Sequence, residues 1–462
     1  MGGGYCEGSG LFRGFVFLFC VFFFLFSASS VFLLLGYAWH DQQRIAQLFL
    51  LIFSCCFALL PKPCIGGPFI RPLLVIFLLG LVSVVLADIP LWAAREWALQ
   101  VGLVILSLLL ARMLADESKQ WIVMYVAAVV GGVLSFQFFV GYAAAFLSGI
   151  RQFDAYTLFS GFSNPRFFGQ FQVVLVPFLA GLALHLWGRR PGLSILVVWV
   201  LASHWSIAYA LGGRGFILAM LVAHFSLLLI EFKFVRFVCL QVCSALAGLL
   251  LYWMLFFFVP FYLDIVPVLP DVLRSGLSAR EVLWNEAWQL ASDNPWLGVG
   301  PMHFSAYVNS VAAHPHQMLL QWASEWGVPV AAVVLGLIGW GVFCAARFLR
   351  HQPAFEMDAA LWAALVGGLV LAQVDGVFVM PYTQTWMAMV VALALARWSS
   401  CQPLVGQQSY LMMSAAVMVV GILGHVLITD ALDLPEIIQR FFERNTSAVL
   451  PRFWSQGWIT GQ

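Results

Sequence analysis

FIRPLLVIFLLGLVSVVLA, residues 69–87, is followed after only three residues by LWAAREWALQVGLVILSLLLARM, residues 91–113. A bilayer core about 30 Å thick needs roughly 20 apolar residues per helix, and both runs have about that length. Runs of the same character recur near 11–37, 45–60, 121–148, 167–187, 193–211, 215–230, 237–260, 327–346, 359–379, 382–397 and 408–429. The 462-residue chain is 63% hydrophobic and only 9% charged, a balance no water-soluble core of this size needs. These runs predict an all-α polytopic membrane protein. Residues 215–230 and 382–397 are short for a crossing, which sets the expected number of transmembrane helices at 12–13. The first run is too long to read as a cleaved signal peptide.

Basic residues set the expected orientation, because Lys and Arg in short loops stay on the cytoplasmic side. With the N-terminus inside, inner segments hold twelve of them, including Lys62, Lys119, Lys233, Arg347 and Arg350, whereas the short outer loops hold only Arg44, Arg151, Arg166 and Arg214. Of the nine cysteines, none falls in an outer loop, where an oxidising medium would trap exposed thiols. A net charge of +1 gives no reason to expect a nucleic-acid partner. The chain then divides into an N-terminal bundle of about nine spans (1–260), an outer loop (261–326), further spans (327–429) and an outer tail (430–462). No internal repeat of the kind common in transporters is visible.

Polar information concentrates on the outer side. Within the long loop, SAREVLWNEAWQLASDN (278–294) reads as an amphipathic helix over 278–292. Ser278 and Glu281 form a capping box, and Leu283, Trp284, Ala287, Trp288 and Ala291 form an apolar face suited to the membrane interface. Asn294-Pro295 ends it, and Gly298 and Gly300 mark a turn. HPHQMLLQWASEWG (314–327) then leads into the next span, so the loop reads as a folded cap.

Three sets of side chains there carry chemistry. Arg214 sits among three glycines in GGRG (212–215). It reads either as a cation snorkelling to the interface or as a two-pronged phosphate ligand whose glycines let an anion approach the backbone. Arg280 opens the loop helix, where helix N-H groups already favour an anion; pairing with Asp271 is the alternative. His314 and His316 offer two donors where zinc needs three or four, and His303 or Glu325 would have to complete such a set, so no metal is expected. A neutral imidazole beside cations suits proton transfer from a hydroxyl or a hydrogen bond to phosphate. Arg95, Glu96 and Asp375 form the set that a transporter reading would use.

GFSNPRFFGQ (161–170), GGRG (212–215), SAREVLWNEAW (278–288), NPWLGVGPMHF (294–304) and HPHQMLLQWASEWGVP (314–329), in that order, resemble the O-antigen ligase/polymerase superfamily. That family comprises O-antigen ligases, O-antigen polymerases and O-linked protein oligosaccharyltransferases, including pilin-glycosylating enzymes. The resemblance implies a GT-C-like fold in the bacterial inner membrane, with a periplasmic active site and no cofactor. It also implies a glycan donor on undecaprenyl diphosphate, with diphosphate held by Arg214 and Arg280 and chemistry at His316. His314, Asn164, Gln170, Gln317 and Glu325 would support the site. Gln317 stands where the family usually has asparagine. The outer tail, with Pro435, Phe441, Phe442, Trp454 and Trp458, resembles the protein-glycosylating branch, which favours a pilin-type protein acceptor over the lipid A core or a growing glycan.

Overall fold

The structure, a computed structural model, describes residues 10–58, 64–65, 67–149, 152–268, 279–309, 311–399, 402–403, 407–444 and 450–459. Lipid offers no hydrogen-bond partners, so a crossing segment has to satisfy its backbone internally as a helix. The helices are α1 (Gly10–Ala28), α2 (Trp39–Ala58), α3 (Gly67–Leu86), α4 (Pro90–Met113), α5 (Glu117–Leu147), α6 (Pro165–Trp187), α7 (Pro191–Ala210), α8 (Arg214–Ile230), α9 (Val235–Trp253), α10 (Val259–Tyr262), α11 (Arg280–Asp293), α12 (Met318–Trp326), α13 (Val328–His351), α14 (Glu356–Leu371), α15 (Pro381–Trp398), α16 (Gln407–Asp430) and α17 (Leu434–Arg444). A π-helical turn at Met254–Phe258 joins α9 to α10. Among the described residues, thirteen of these helices have sixteen residues or more, one for each apolar run. Eight of the helical segments are long and apolar enough to cross a membrane. The chain is thus an all-α polytopic membrane protein. Its only strands among the described residues are short: β1 (Cys64–Ile65) pairs antiparallel with β4 (Gln402–Pro403), and β2 (Gln152–Asp154) pairs parallel with β3 (Val266–Val268).

Burial sorts the helices into centre and rim. In α6 and α4, 89% and 78% of the apolar window is buried in protein; in α13 it is 11%, so α13 presents its apolar side to lipid. Small residues let the central helices approach closely. A Cβ added at Gly181 would stand 2.9 Å from Ala360 Cβ, joining α6 to α14, and one at Gly248 would stand 2.5 Å from Trp205 Cβ, joining α9 to α7. Proline at the first helical turn starts α4, α6, α7 and α15 at no hydrogen-bond cost.

Several boundaries differ from the sequence reading. The first helix stops at Ala28 rather than 37, with Ser29 Oγ turning back to donate to Phe26 O at 2.6 Å. α2 begins at Trp39, six residues before the apolar run, because its polar first turns are buried: Gln43 donates to Gly161 O at 2.7 Å and Arg44 to Val379 O at 2.7 Å. α14 ends at Leu371 rather than 379, and residues 372–380 leave the bundle as a loop carrying Asp375.

The cap is a small domain seated on one end of the bundle, hereafter the cap end. α11 packs on α12 through Leu283, Ala287 and Leu290, with Phe304 and Ala312 between them. The expected membrane-facing stripe is therefore turned inward, while Trp288 stands 66% exposed on the other side. Ala279, at φ +61°, is the N-cap of α11 and provides no side-chain bond; the expected capping box rests on Ser278, which lies outside the described residues, as does Asp271. Gly298 and Gly327 take positive φ where a Cβ would strike the Glu325 and Trp296 carbonyls, which locks the NPWLGVG turn against the end of α12. Ser83 Oγ donates to Leu297 O at 2.6 Å and ties cap to α3. The C-terminal tail is no free extension either, since Arg452, Phe453, Trp454 and Ser455 are all buried. A separate polar cluster closes the opposite end, where Arg397 grips Asp358 at 2.6 Å and Gln120 at 3.0 Å.

The glycine contacts give a test of the helix packing. Gly248→Ala should destabilise by about 1–3 kcal/mol, as overpacking does, because Ala202 O and Ser206 N also lie within 3 Å of the new Cβ. Gly132→Ala, with nothing within 4 Å, should be neutral or stabilising. Unfolding midpoints of the two variants in detergent, compared with the parent chain, check the order.

Candidate active site

Four segments remote in sequence meet around Asp375. At the start of α6, Asn164 is the N-cap and its Oδ1 accepts from the Arg166 amide at 2.9 Å, so its role is to begin the helix. Gln170, further along α6 and fully buried, donates from Nε2 to Asp375 Oδ1 at 2.9 Å. The same oxygen accepts from the Gly376 amide at 2.8 Å and faces His316 Nδ1 at 3.4 Å. That last distance is an ion-pair approach without hydrogen-bond geometry, since His316 Nδ1 has no hydrogen-bond partner among the described residues. Gly376 is required here: a Cβ would lie 2.5 Å from the His314 ring.

The two histidines behave differently. His314 is buried, its ring centroid is 4.1 Å from that of His316, and its Nδ1 accepts from the His316 amide at 3.3 Å. Burial, followed by the charges of His316, Arg452 and His40, pushes its imidazolium well below the ordinary range, so His314 is a neutral packing partner. His316 adopts φ +53° and keeps a side-chain exposure of 16%. A non-glycine residue held in the left-handed region costs roughly 1–3 kcal/mol and persists where the surroundings over-determine it. Here the surroundings are the His314 contact on one side and α12 on the other, with Gln317 as its N-cap. Gln317 Oε1 accepts from the Leu320 amide and its Nε2 donates to Gln373, two residues before Asp375 in the chain, at 3.1 Å.

Electrostatics brings in the arginines. Burial holds the Arg280 guanidinium below its ordinary range; Asp375 opposes this, and Arg166 and Arg214 add to it. Arg280 is therefore in electrostatic reach of the Asp375 carboxylate and of two further arginines, Arg166 and Arg214. Each arginine lies in the first turn of a helix, α6, α8 or α11, where unpaired N-H groups add partial positive charge. Asp375 loses some basicity in return: burial alone would raise its pKa, but His316, the Gly376 amide and Arg280 hold it below the usual range. The carboxylate is ionised, and the cations around it outnumber it.

Glu325 is not part of this group. It is fully buried, accepts from the Phe304 amide at 3.3 Å and pairs with Arg452 Nη2 at 2.7 Å. Burial pushes its carboxyl up to about 7 against the pull of Arg452. The residues of the transporter reading are likewise divided: Arg95 pairs with Asp430, Glu96 lies 3.8 Å from Arg452, and only Asp375 meets the histidines. Sequence reasoning missed Asp375 as a site residue and Arg166 as a third cation. The available signal was an aspartate beside a glycine in an otherwise apolar run, VDGV (374–377).

An apolar cleft of about 560 Å³ runs down the bundle between α3, α4, α13 and α15, lined by residues such as Leu103, Leu337, Ile338 and Val391. At the cap end Gln100, Met318, Trp322 and Phe378 line both this cleft and a small polar pocket that holds Glu96, Asp375 and Gly376. A water-poor channel thus opens beside the charged group.

Residues 195–335 match the family model described as O-antigen ligase. Over 161 residues the chain is 30% identical to the O-antigen ligase of Pseudomonas aeruginosa strain PAO1, covering 33% of this chain and 35% of that protein. The chain thus spans about a third of the length of that relative. The family match takes in Arg214, Arg280, His314, His316, Gln317 and Glu325, but not Asn164, Arg166, Gln170 or Asp375.

The arginine cluster should bind a free dianion. Inorganic pyrophosphate is expected to bind the purified protein, and Arg280→Gln to weaken that binding about tenfold to a hundredfold, the size of one charge-assisted hydrogen bond at roughly 1.5–3 kcal/mol. Arg236→Gln, on α9 at the opposite end, should leave it unchanged. Isothermal titration distinguishes these outcomes; equal affinity in all three proteins would remove the anion site.

Proposed function

From the family match over residues 195–335 we propose that the chain is a member of the O-antigen ligase/polymerase superfamily and a glycosyltransferase moving a glycan from a polyprenyl diphosphate to a hydroxyl acceptor at the cap end. The observation that carries this reading is the grouping of Arg280 with Arg166 and Arg214, each at a helix N-terminus, and the reach of Arg280 to the Asp375 that faces His316. Expelling a lipid diphosphate places negative charge on the leaving phosphate. Fixed guanidinium groups in a water-poor site stabilise that charge without reorganising. The adjoining apolar cleft suits the lipid tail of such a donor.

In the reaction the acceptor oxygen bonds to the anomeric carbon as the bond from that carbon to the diphosphate oxygen breaks, inverting the centre. The acceptor proton passes to His316. With Nδ1 turned to Asp375, Nε2 is the nitrogen left for the hydroxyl, and the ionised carboxylate favours the imidazolium that forms. Gln170 and the Gly376 amide hold Asp375 for that task. The donor is an undecaprenyl-diphosphate glycan, the membrane is the bacterial inner membrane, and the cap end faces the periplasm. The acceptor is Ser or Thr of a pilin-type protein, a reading that follows the tail's position on the side of the site. The printed description of the relative, an O-antigen ligase, favours a second acceptor, the lipid A core. Mass spectrometry of periplasmic proteins and of lipopolysaccharide, with and without the gene, separates them.

Two sets of variants test the machinery, assayed in membranes from a fixed pool of lipid-linked glycan. His316→Ala should abolish transfer and His314→Ala weaken it less, since only His316 faces Asp375. Full activity in His316→Ala at normal protein level would refute the assignment. Arg214→Lys and Arg280→Lys should each lose about tenfold to more than a hundredfold in rate, as a point charge replaces a two-pronged grip worth roughly 1.5–3 kcal/mol. Near-normal rates in both would leave these arginines as charge markers.

Sidedness is checked separately. Cysteines placed at Val308 and Arg350 in a cysteine-free background should react with an impermeant thiol reagent on whole cells at 308 only; the reverse pattern would put the site in the cytoplasm.

A further inference from the structure

The segment 450–459 has no part in the proposed chemistry, yet it is built into the cap end. Polar side chains of the bundle are turned to its backbone. His40 Nε2 lies 3.2 Å from Phe453 O, Arg44 donates to the same oxygen at 3.1 Å and to Arg452 O at 3.2 Å, and Asp41 accepts from the Ser455 amide at 2.7 Å. Trp454 Nε1 donates to Asp430 at 2.9 Å, and the Ile459 amide donates to Ser305 O at 3.1 Å. Gly457, at φ +80°, brings the segment against the residue before His314: a Cβ there would stand 3.2 Å from Ala313 Cβ. An extended peptide that lies on the surface does not acquire this many buried partners; the bundle is shaped to receive it.

Its one charged side chain points at α12. Arg452 is fully buried and pairs with Glu325 Oε2 at 2.7 Å. The Gln321 amide, with its oxygen toward the guanidinium, accepts from Nη1 and Nη2 at 2.7 and 2.9 Å. Gln321 and Glu325 are one helical turn apart and so share a face of α12. That helix is only nine residues long and begins two residues after His316, so its orientation decides where His316 sits.

We propose that residues 450–459 form a clasp that positions the histidine segment, with Arg452 as the positioning residue: by gripping Gln321 and Glu325 it fixes α12 and thereby holds His316 against Asp375. The clasp touches neither donor nor acceptor and acts through α12. This inference rests on the transfer reading. A fork that grips two acceptors on one helix face sets an angle, which a lone ammonium or an apolar contact does not. A buried ion pair replaced by apolar residues of similar size often leaves stability unchanged, and this separates positioning from mere stabilisation.

The experiment uses the full-length protein in nanodiscs with four readouts: turnover, donor KM, pyrophosphate affinity and unfolding midpoint. The variants are Arg452→Lys and the double variant Arg452→Met with Glu325→Met. The double variant is expected to keep its midpoint within a few degrees and its donor KM and pyrophosphate affinity within about twofold, while turnover falls at least tenfold. Arg452→Lys, which keeps the charge but not the fork, should likewise hold its midpoint and pyrophosphate affinity while turning over at least fivefold below the parent; turnover within twofold in this variant would also overturn the proposal. The proposal is overturned if the double variant turns over within twofold of the parent. It is equally overturned if pyrophosphate binding and turnover fall in step, as general disruption of the cap end would produce. Failure of the parent protein itself to transfer glycan from a lipid diphosphate would instead remove the transfer reading, a result visible before any variant is compared.

Discussion

Every charge buried at the cap end has to be answered by another protein group, because neither lipid nor a dry helix interface solvates an ion. That constraint organises the whole cap end of the molecule. Arg44 is answered by Gln47, Gln384 and three carbonyls, Arg452 by Glu325 and Gln321, and Arg95 by Asp430. All but the Arg44–Gln47 contact join separate segments of the chain, so satisfying the charges also assembles bundle, cap and tail into one body.

Around Asp375 the balance is different. One carboxylate, held by Gln170 and the Gly376 amide, faces His316 and shares its surroundings with three arginines, each at a helix N-terminus. Partial charges of the helix ends add to the guanidinium charges rather than offsetting them. The net positive field is what an anionic ligand would neutralise, and the strained backbone of His316 shows that the fold holds this residue in place against its own preference. Positive charge concentrated at the mouth of an apolar cleft is an arrangement suited to an amphiphile with a charged head.

The histidine segment is held from two sides. Gly376 and His314 pack beneath it, and α12 follows it directly in chain. α12 is short, and it enters the main core through Met318 and Trp326. Its orientation comes from neighbours: α11 through the apolar contacts of Leu283 and Ala287, and the tail through the polar contacts of Arg452. Apolar contacts set the distance between helices, whereas hydrogen bonds with fixed geometry set the angle.

The positions of the thirteen longer helices were legible in the sequence because lipid imposes one rule on every crossing segment, a run of apolar residues of known length. The polar motifs were legible as well: Arg214, Arg280 and His316 stand out against an apolar background, and all three fall at the cap end. Helix ends were less so, since α2 begins in a polar stretch that only tertiary partners make buriable, and α14 stops early within an apolar one. The apolar face of α11 was visible but its destination was not; a stripe of Leu and Ala fits lipid or a protein neighbour equally, and contact with α12 decided the matter. Asp375 and Arg452 were beyond a reading of spacing, because each acts through partners more than fifty residues away. Local chemistry and the bilayer thus determined what the chain is made of and which residues had to find partners, while the pairing of buried charges across distant segments, which no local pattern encodes, decided where the site lies.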